Sequence, residues 1–227
     1  MDLRLTGKRA LISGSSSGIG AECARRLALE GCKVVVHGRD PARAGAVAEE
    51  IRLAGGEAAA AIGDLEYDEE AWQVAHEALE AFGGIDILVN NAGLLIRDDN
   101  PDWTTVPSSD WLRSFTVNVV AAVRLAQKLV PPMIERGWGR VINVSSVAGY
   151  QALGQLLEYG PAKAGVHNLT INLSQMISSK GVTVNTIAPG TIMTPGIESF
   201  MDAMVGQPGW ADTRAENEEI YASQLYP

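Results

Sequence analysis

A single α/β domain built on a doubly wound parallel sheet, Rossmann-like in architecture, is what this sequence predicts, and three observations predict it. Short β-branched runs alternate with longer amphipathic stretches almost from one end to the other. The short runs are continuously apolar, the pattern of strands buried on both faces of a sheet. A glycine- and serine-rich segment, Ser13-Gly14-Ser15-Ser16-Ser17-Gly18-Ile19-Gly20, joins the first run to the first amphipathic stretch. At 227 residues the chain is long enough for one large core.

Taken in order, Ala10–Ile12 reads as the first strand and Ala21–Glu30 as the helix after it. Val34–Val36 is a second strand; a helix from Pro41 to about Ala54 follows, with proline at a first helical position and Gly55-Gly56 as its stop. Ala58–Ile62 is a third strand, and Glu69–Phe82 a helix closed by Gly83-Gly84. Ile85–Val89 is a fourth strand, separated by an Asp-, Pro- and Thr-containing loop from one long helix, about Ser109–Arg136. Val141–Val144, a helix over Tyr159–Ser179, and Val182–Ala188 complete the pattern with a fifth and a sixth strand. No repeat, linker or low-complexity segment interrupts it, so residues 1–227 read as one domain, with 191–227 as a lid and tail.

Composition narrows the function. A net charge of −9 argues against nucleic acid and anionic membranes as partners. Neither a signal-peptide core nor an apolar run near the ~18 residues of a membrane span is expected. Two cysteines, Cys23 and Cys32, lack metal or disulfide spacing and read as packing residues, which suggests a cytoplasmic location. The three histidines, His37, His76 and His167, lack metal or triad spacing and read as structural; no metal site is expected.

In a doubly wound sheet, ligands bind at the carboxyl ends of the strands, where the Gly-rich turn, Asn90, Ser146 and Pro189 all fall. Gly14, Gly18 and Gly20 permit a tight turn, and free amides at the following helix N-terminus attract a pyrophosphate. A dinucleotide cofactor is the expectation, with Ser16, Ser17 and Ile19 in the same turn. The second strand ends His37-Gly38-Arg39-Asp40. An acidic residue there holds ribose hydroxyls and an arginine meets a 2′-phosphate, so Arg39 favours NADP(H) over NAD(H); the competing reading makes Arg39 a solvated turn residue and Asp40 merely the cap of the next helix. Asp64-Leu65 follows the third strand, where a carboxylate suits an adenine amino group or a helix cap. Asn90-Asn91-Ala92-Gly93 follows the fourth and reads as a turn or a brace whose amides tie strand ends together.

Tyr159 and Lys163 stand four apart on a helix and share one face. Bringing a phenol from ~10 towards 7 takes roughly 4 kcal/mol. One cation at ~4 Å supplies about that much at an effective dielectric near 20. Such a tyrosine is a proton-transfer catalyst near neutral pH.

The ordered set of Gly-x-x-x-Gly-x-Gly, Asn90-Asn91-Ala92-Gly93, Asn118, Ser146, Tyr159, Lys163 and Pro189-Gly190 resembles the single-domain short-chain dehydrogenase/reductase family, from about Thr6 to Thr194. Ser13 stands where that family usually has threonine. The resemblance implies Tyr159 as general acid in reduction and general base in oxidation, with Lys163 lowering its pKa and binding the nicotinamide ribose. It also implies Ser146, thirteen residues before Tyr159, as the hydrogen-bond partner of the substrate oxygen, in preference to Ser145. Asn118 would hold a relay water behind Lys163. Asn91, Ala92 and Gly93 would contact the cofactor, as would Pro189 and Gly190, and Ile192 and Thr194 would bind the carboxamide.

The implied activity is hydride transfer between a nicotinamide cofactor and a small-molecule ketone or secondary alcohol, with a 3-oxoacyl reductase as one form of it. The substrate wall is expected from Leu94–Ile96, the Gln151–Glu158 loop with Leu153, Leu156 and Leu157, and the apolar residues after Thr194. The family also implies a further helix and a seventh strand after the polar stretch Asp212–Glu219, expected in a tail beyond Pro227, and a homodimer or homotetramer. Two rival readings stand beside this one: a nucleotide-sugar epimerase or dehydratase, disfavoured by the spacing of Gly14 and Gly18, and a catalytically silent cofactor-binding scaffold.

Overall fold

The computed structural model describes residues 3–96, 104–151, 157–207 and 210–225. The chain divides into two compact units, Met1–Ala188 and Pro189–Pro227.

The first unit holds the sheet. In chain order it comprises β1 (Arg9–Ile12), α1 (Gly18–Leu29), β2 (Lys33–Gly38), α2 (Pro41–Leu53), β3 (Glu57–Ile62), α3 (Asp68–Phe82) and β4 (Ile87–Asn90). Then come α4 (Ser108–Phe115), a π turn (Thr116–Val120), α5 (Ala121–Glu135), β5 (Gly139–Val144), α6 (Tyr159–Met176) and β6 (Val182–Ile187). All six strands pair in parallel, in the order β3-β2-β1-β4-β5-β6. That is the doubly wound order, reversing between β1 and β4.

Successive strand residues point to opposite faces, and both faces are dry. Leu11, Val35, Leu88 and Val141 meet Val74 and Ala78 of α3 and Leu125, Leu129 and Met133 of α5. Their neighbours Ala10, Ile12, Val34, Val36, Ile87 and Val89 meet Ala24 of α1 and Ala48 and Ile51 of α2. The continuous apolar runs are therefore two interleaved faces, each with its own helical layer. The α4–α5 stretch Ser108–Glu135 is long and apolar enough to cross a membrane; here the α5 part packs Leu125, Leu129 and Met133 on the sheet.

The element boundaries differ from expectation in places with physical causes. The long helix is broken by the π turn, where the Ala121 N–H donates to the Thr116 carbonyl and Asn118 Nδ2 occupies the Ser114 carbonyl at 2.9 Å. α6 stops at Met176, short of Ser179, whose φ of 68° is left-handed. α3 ends on Gly83 in the left-handed region, as its glycine pair suggests.

The second unit carries α7 (Pro195–Met204) and α8 (Arg214–Leu225). Thr194 Oγ1 caps α7 by accepting from the Ile197 N–H, and Arg214 pairs with Glu198, Asp202 and Glu218 across the two helices. Phe200 and Trp210 stack edge to face at 5.4 Å.

Candidate active site

The Gly-rich turn is tied to β4. Ser13 Oγ accepts the N–H groups of Asn91 and Ala92, both at 3.0 Å. Asn91 Nδ2 donates to the carbonyls of Ser13 and Gly14 at 2.9 and 3.1 Å. The expected brace is thus present, and a serine at position 13 suffices for it. Gly14 has φ 64°, and a methyl group on it would lie 2.8 Å from Ala92 Cα, so position 14 takes only glycine. At the start of α1, Ser17 makes no side-chain cap, and the first amides of the helix point out of the turn uncapped. A close-approach turn leading into uncapped amides fits a pyrophosphate.

The ends of β2 and β3 meet beside this turn. Asp40 Oδ1 accepts the N–H groups of Ala42 and Arg43, so Asp40 is the cap of α2. Arg39 is largely exposed and reaches Asp64 Oδ2 at 3.5 Å. Asp64 does not cap α3; its Oδ1 accepts from Glu66 N–H, and its own N–H donates to Glu70 Oε2. Leu65 is buried in the core, with its carbonyl held by Arg124 Nη1. Gly38 lies against Ser16, whose Cβ and Oγ would be 2.7 Å from a methyl group there.

His37, read from sequence as structural, is built into this region. It is 3% exposed. Nδ1 accepts the Gly14 N–H at 2.9 Å, and Nε2 lies 3.1 Å from the Gly63 carbonyl. Its backbone is stitched to Ser15 in both directions, Ser15 N–H to the His37 carbonyl and His37 N–H to Ser15 Oγ. Its position one residue before the end of a strand adjacent to β1 was the available signal.

Lys163 is 3% exposed and donates from Nζ to the Val144 carbonyl at 3.0 Å. Burial pushes its pKa down from 10.5 to about 8. Nζ lies 5.4 Å from the centre of the Tyr159 ring. A methyl group on Gly93 would lie 2.9 Å from Asn118 Oδ1 and 3.3 Å from Lys163 Nζ. The bare Gly93 therefore lets β4's end, the π turn and α6 converge. Asn118 is buried; Nδ2 donates to the Leu94 and Ser114 carbonyls, and Oδ1 accepts the Leu94 N–H.

The two serines after β5 part company. Ser145 is buried, donates from Oγ to the Lys163 carbonyl at 2.8 Å and lies 3.1 Å from His167 Nε2. Because that hydroxyl proton is committed, Nε2–H is the donor to Ser145, and His167 Nδ1 accepts from the Tyr150 hydroxyl at 2.9 Å. Ser146 is partly exposed, and its Oγ accepts the Ala148 N–H at 3.2 Å. Its hydroxyl proton is not taken by Ser145's network, and α6's first turn sits against this segment, Gly160 beside the Ala148 carbonyl.

Of the remaining expected residues, Pro189, Gly190, Ile192 and Thr194 belong to the second unit, with Ile192 exposed and Thr194 capping α7. Leu153, Leu156, Pro208 and Gly209 lie outside the described residues.

A phosphate-type turn, a buried lysine beside a tyrosine, and a serine after β5 lie at the carboxyl end of one sheet, and a model of the short chain dehydrogenase family matches residues 8–204. The chain belongs to the short-chain dehydrogenase family. Acetoacetyl-CoA reductase of Allochromatium vinosum (strain ATCC 17899 / DSM 180 / NBRC 103801 / NCIMB 10441 / D) is 38% identical over 188 residues, covering 82% of this chain and 75% of the relative. The crystal structure of L-sorbose reductase from Gluconobacter frateurii, complexed with NADPH and L-sorbose, matches with a TM-score of 0.87 and 32% identity over 92% of this chain and 79% of that one. 7α-Hydroxysteroid dehydrogenase complexed with NADH and 7-oxo glycochenodeoxycholic acid matches with a TM-score of 0.79 and 34% identity, over 88% and 80%. As a short-chain dehydrogenase, the protein is an NAD(P)-dependent oxidoreductase.

Proposed function

We propose that this chain moves a hydride between NADP(H) and a ketone or secondary alcohol, with Tyr159 as the proton donor and acceptor. The observation that carries this reading is Lys163: a buried ammonium beside the Tyr159 ring, held by a backbone carbonyl, with no carboxylate paired to it among the described residues. An unneutralised cation in a low-dielectric site favours the phenolate far more than one in water. The same burial disfavours the lysine's own charge, so phenolate and ammonium stabilise each other.

Ser146, whose hydroxyl proton has no acceptor among the described residues, hydrogen-bonds the substrate oxygen. In reduction, the Tyr159 hydroxyl gives its proton to that oxygen; in oxidation the Tyr159 phenolate takes one from it. A bound nicotinamide would supply or accept the hydride. Asn118 spends its side chain on Leu94 and Ser114 and so holds Gly93 and Leu94 beside Lys163, leaving its main chain for a relay water. Ser16, Ser17, Gly18, Ile19 and Gly20 hold the pyrophosphate. Asn91, Ala92 and Gly93 complete the cofactor's surroundings in this unit.

The preference for NADP(H) is supported by the division of labour at the end of β2. Asp40 is occupied as a cap, which leaves Arg39 as the group facing the ribose edge. Among substrates, 3-oxoacyl thioesters are the first class to screen, given the likeness to acetoacetyl-CoA reductase. A cytoplasmic homodimer or homotetramer is part of the same reading; exposed Trp111, Leu112 and Phe115 on α4 and Ile171 and Met176 on α6 support association.

Tyr159→Phe tests the chemistry: turnover falls by two or more decades while NADPH binding stays within a few-fold, and retained turnover overturns the assignment. Arg39→Ala tests the cofactor. NADPH affinity falls about tenfold or more and NADH affinity holds; an unchanged NADPH affinity refutes the preference.

A further inference from the structure

We propose that His37 is a positioning residue for the phosphate turn, holding it in its cofactor-binding shape only as the neutral imidazole; this rests on the dehydrogenase reading above. The two backbone partners leave no freedom in the assignment. The Gly14 N–H can only donate, so Nδ1 must be an unprotonated acceptor. The Gly63 carbonyl can only accept, so Nε2 must carry the proton. One neutral tautomer satisfies both contacts. The imidazolium would present an N–H to the Gly14 N–H at 2.9 Å, two donors face to face.

Gly14 has no slack to absorb that conflict. It sits at φ 64° against Ala92 and is strapped by Asn91 through its own carbonyl. Ser15, the next residue, is bonded to the His37 backbone in both directions. Protonation therefore displaces the turn that leads into the free amides of α1. The charged groups facing the ring are Asp64 after β3, Arg39 at the end of β2 and Glu77 on α3. Of these residue types, only histidine ordinarily titrates between pH 5.5 and 7.5. Burial holds the ring below its ordinary 6.5, in keeping with a clamp that is intact at neutral pH.

The experiment is a titration of the full chain with NADH, and in parallel NADPH, from pH 7.5 to 5.5. NADH carries no phosphate that titrates in that window, so it isolates the protein's contribution. Its dissociation constant is expected to rise as pH falls through the His37 pKa read by NMR, by up to tenfold per pH unit for one proton. In His37→Asn, Oδ1 replaces Nδ1 as a non-titrating acceptor, and the profile flattens. In the unaltered protein, the His37 pKa read by NMR falls when NADH saturates it, by linkage. Tight binding with a flat profile, tighter binding in acid, a slope that persists in His37→Asn or a His37 pKa that stays or rises with NADH each overturns this inference alone. No binding of either cofactor at pH 7.5 overturns the dehydrogenase reading, and this inference with it.

Discussion

At the amino ends of β1 and β4, Asp86 takes the Arg9 main chain, Nε and Nη2 at 3.1, 2.8 and 2.6 Å, and Arg136 Nη2 at 3.5 Å. Both arginines also bind carbonyls, of Gly83 and Ile85. At the carboxyl ends of the same strands, the buried contacts are neutral: Ser13 with Asn91 and Ala92, His37 with Gly14 and Gly63, Asn90 with Asn143 and Thr170 beyond it. The one buried cation there, Lys163, is held by a carbonyl. A closed ion group pins chain segments together but has no charge left for a ligand. A cation without a carboxylate costs stability and keeps its field available. Around β1 and β4, the partly buried charge pairing thus lies at the end away from Lys163.

The sharpest way to break this comparison is Lys163→Met. Turnover is expected to fall a hundredfold or more, about 3 kcal/mol of transition-state stabilisation, with no loss of thermal stability, because no carboxylate is stranded. A large fall in melting temperature with turnover preserved would make Lys163 a structural residue. Asp86→Ala is the mirror experiment. It strands two partly buried arginines, and about 3 kcal/mol of stability should go, or roughly 6–12 °C in melting temperature. NADPH affinity and turnover at a permissive temperature should hold.

Acid and alkali separate the two ends further. Burial raises the Asp86 pKa, but the Arg9 hydrogen bonds outweigh it and hold the carboxyl below its usual range. Its contribution is complete above the ordinary carboxylate pKa, near 4, and is lost as pH falls through the folded value. Lys163 gives a slope of the same sign in a higher window. With a folded pKa of about 8, below 10.5 in the unfolded chain, the folded state holds fewer protons between the two values. Stability therefore rises with pH across that window, and Lys163→Met should flatten this rise in denaturant titrations at pH 8 and 10. The smallest effect is expected at Asn91→Ala, which removes the strap on the turn: about 1 kcal/mol of stability and a few-fold weaker NADPH binding. Loss of binding without loss of stability would mean that Asn91 acts on the ligand directly.

Much of this molecule was legible before any coordinates. Strand and helix order followed from continuous apolar runs and from Pro41, Gly55 and Gly83, because those signals act within a few residues of chain. The phosphate turn, Tyr159 and Lys163 were legible because their spacing is local. What lay beyond the sequence involves partners distant along the chain. Asp40 was open between ribose ligand and cap until its Oδ1 was seen on Ala42 and Arg43. Asn118, in the π turn, bonds both backbone polar groups of Leu94, 24 residues away. His37 carried no motif, and its role exists only because parallel pairing sets β2 between β1 and β3, with Gly14 on one side and Gly63 on the other. Local sequence determined which elements form and in what order, through propensity, caps and side-chain period. Only the tertiary structure decided which donor meets which acceptor across the sheet, because a hydrogen bond requires a fit within tenths of an ångström that long-range packing alone sets.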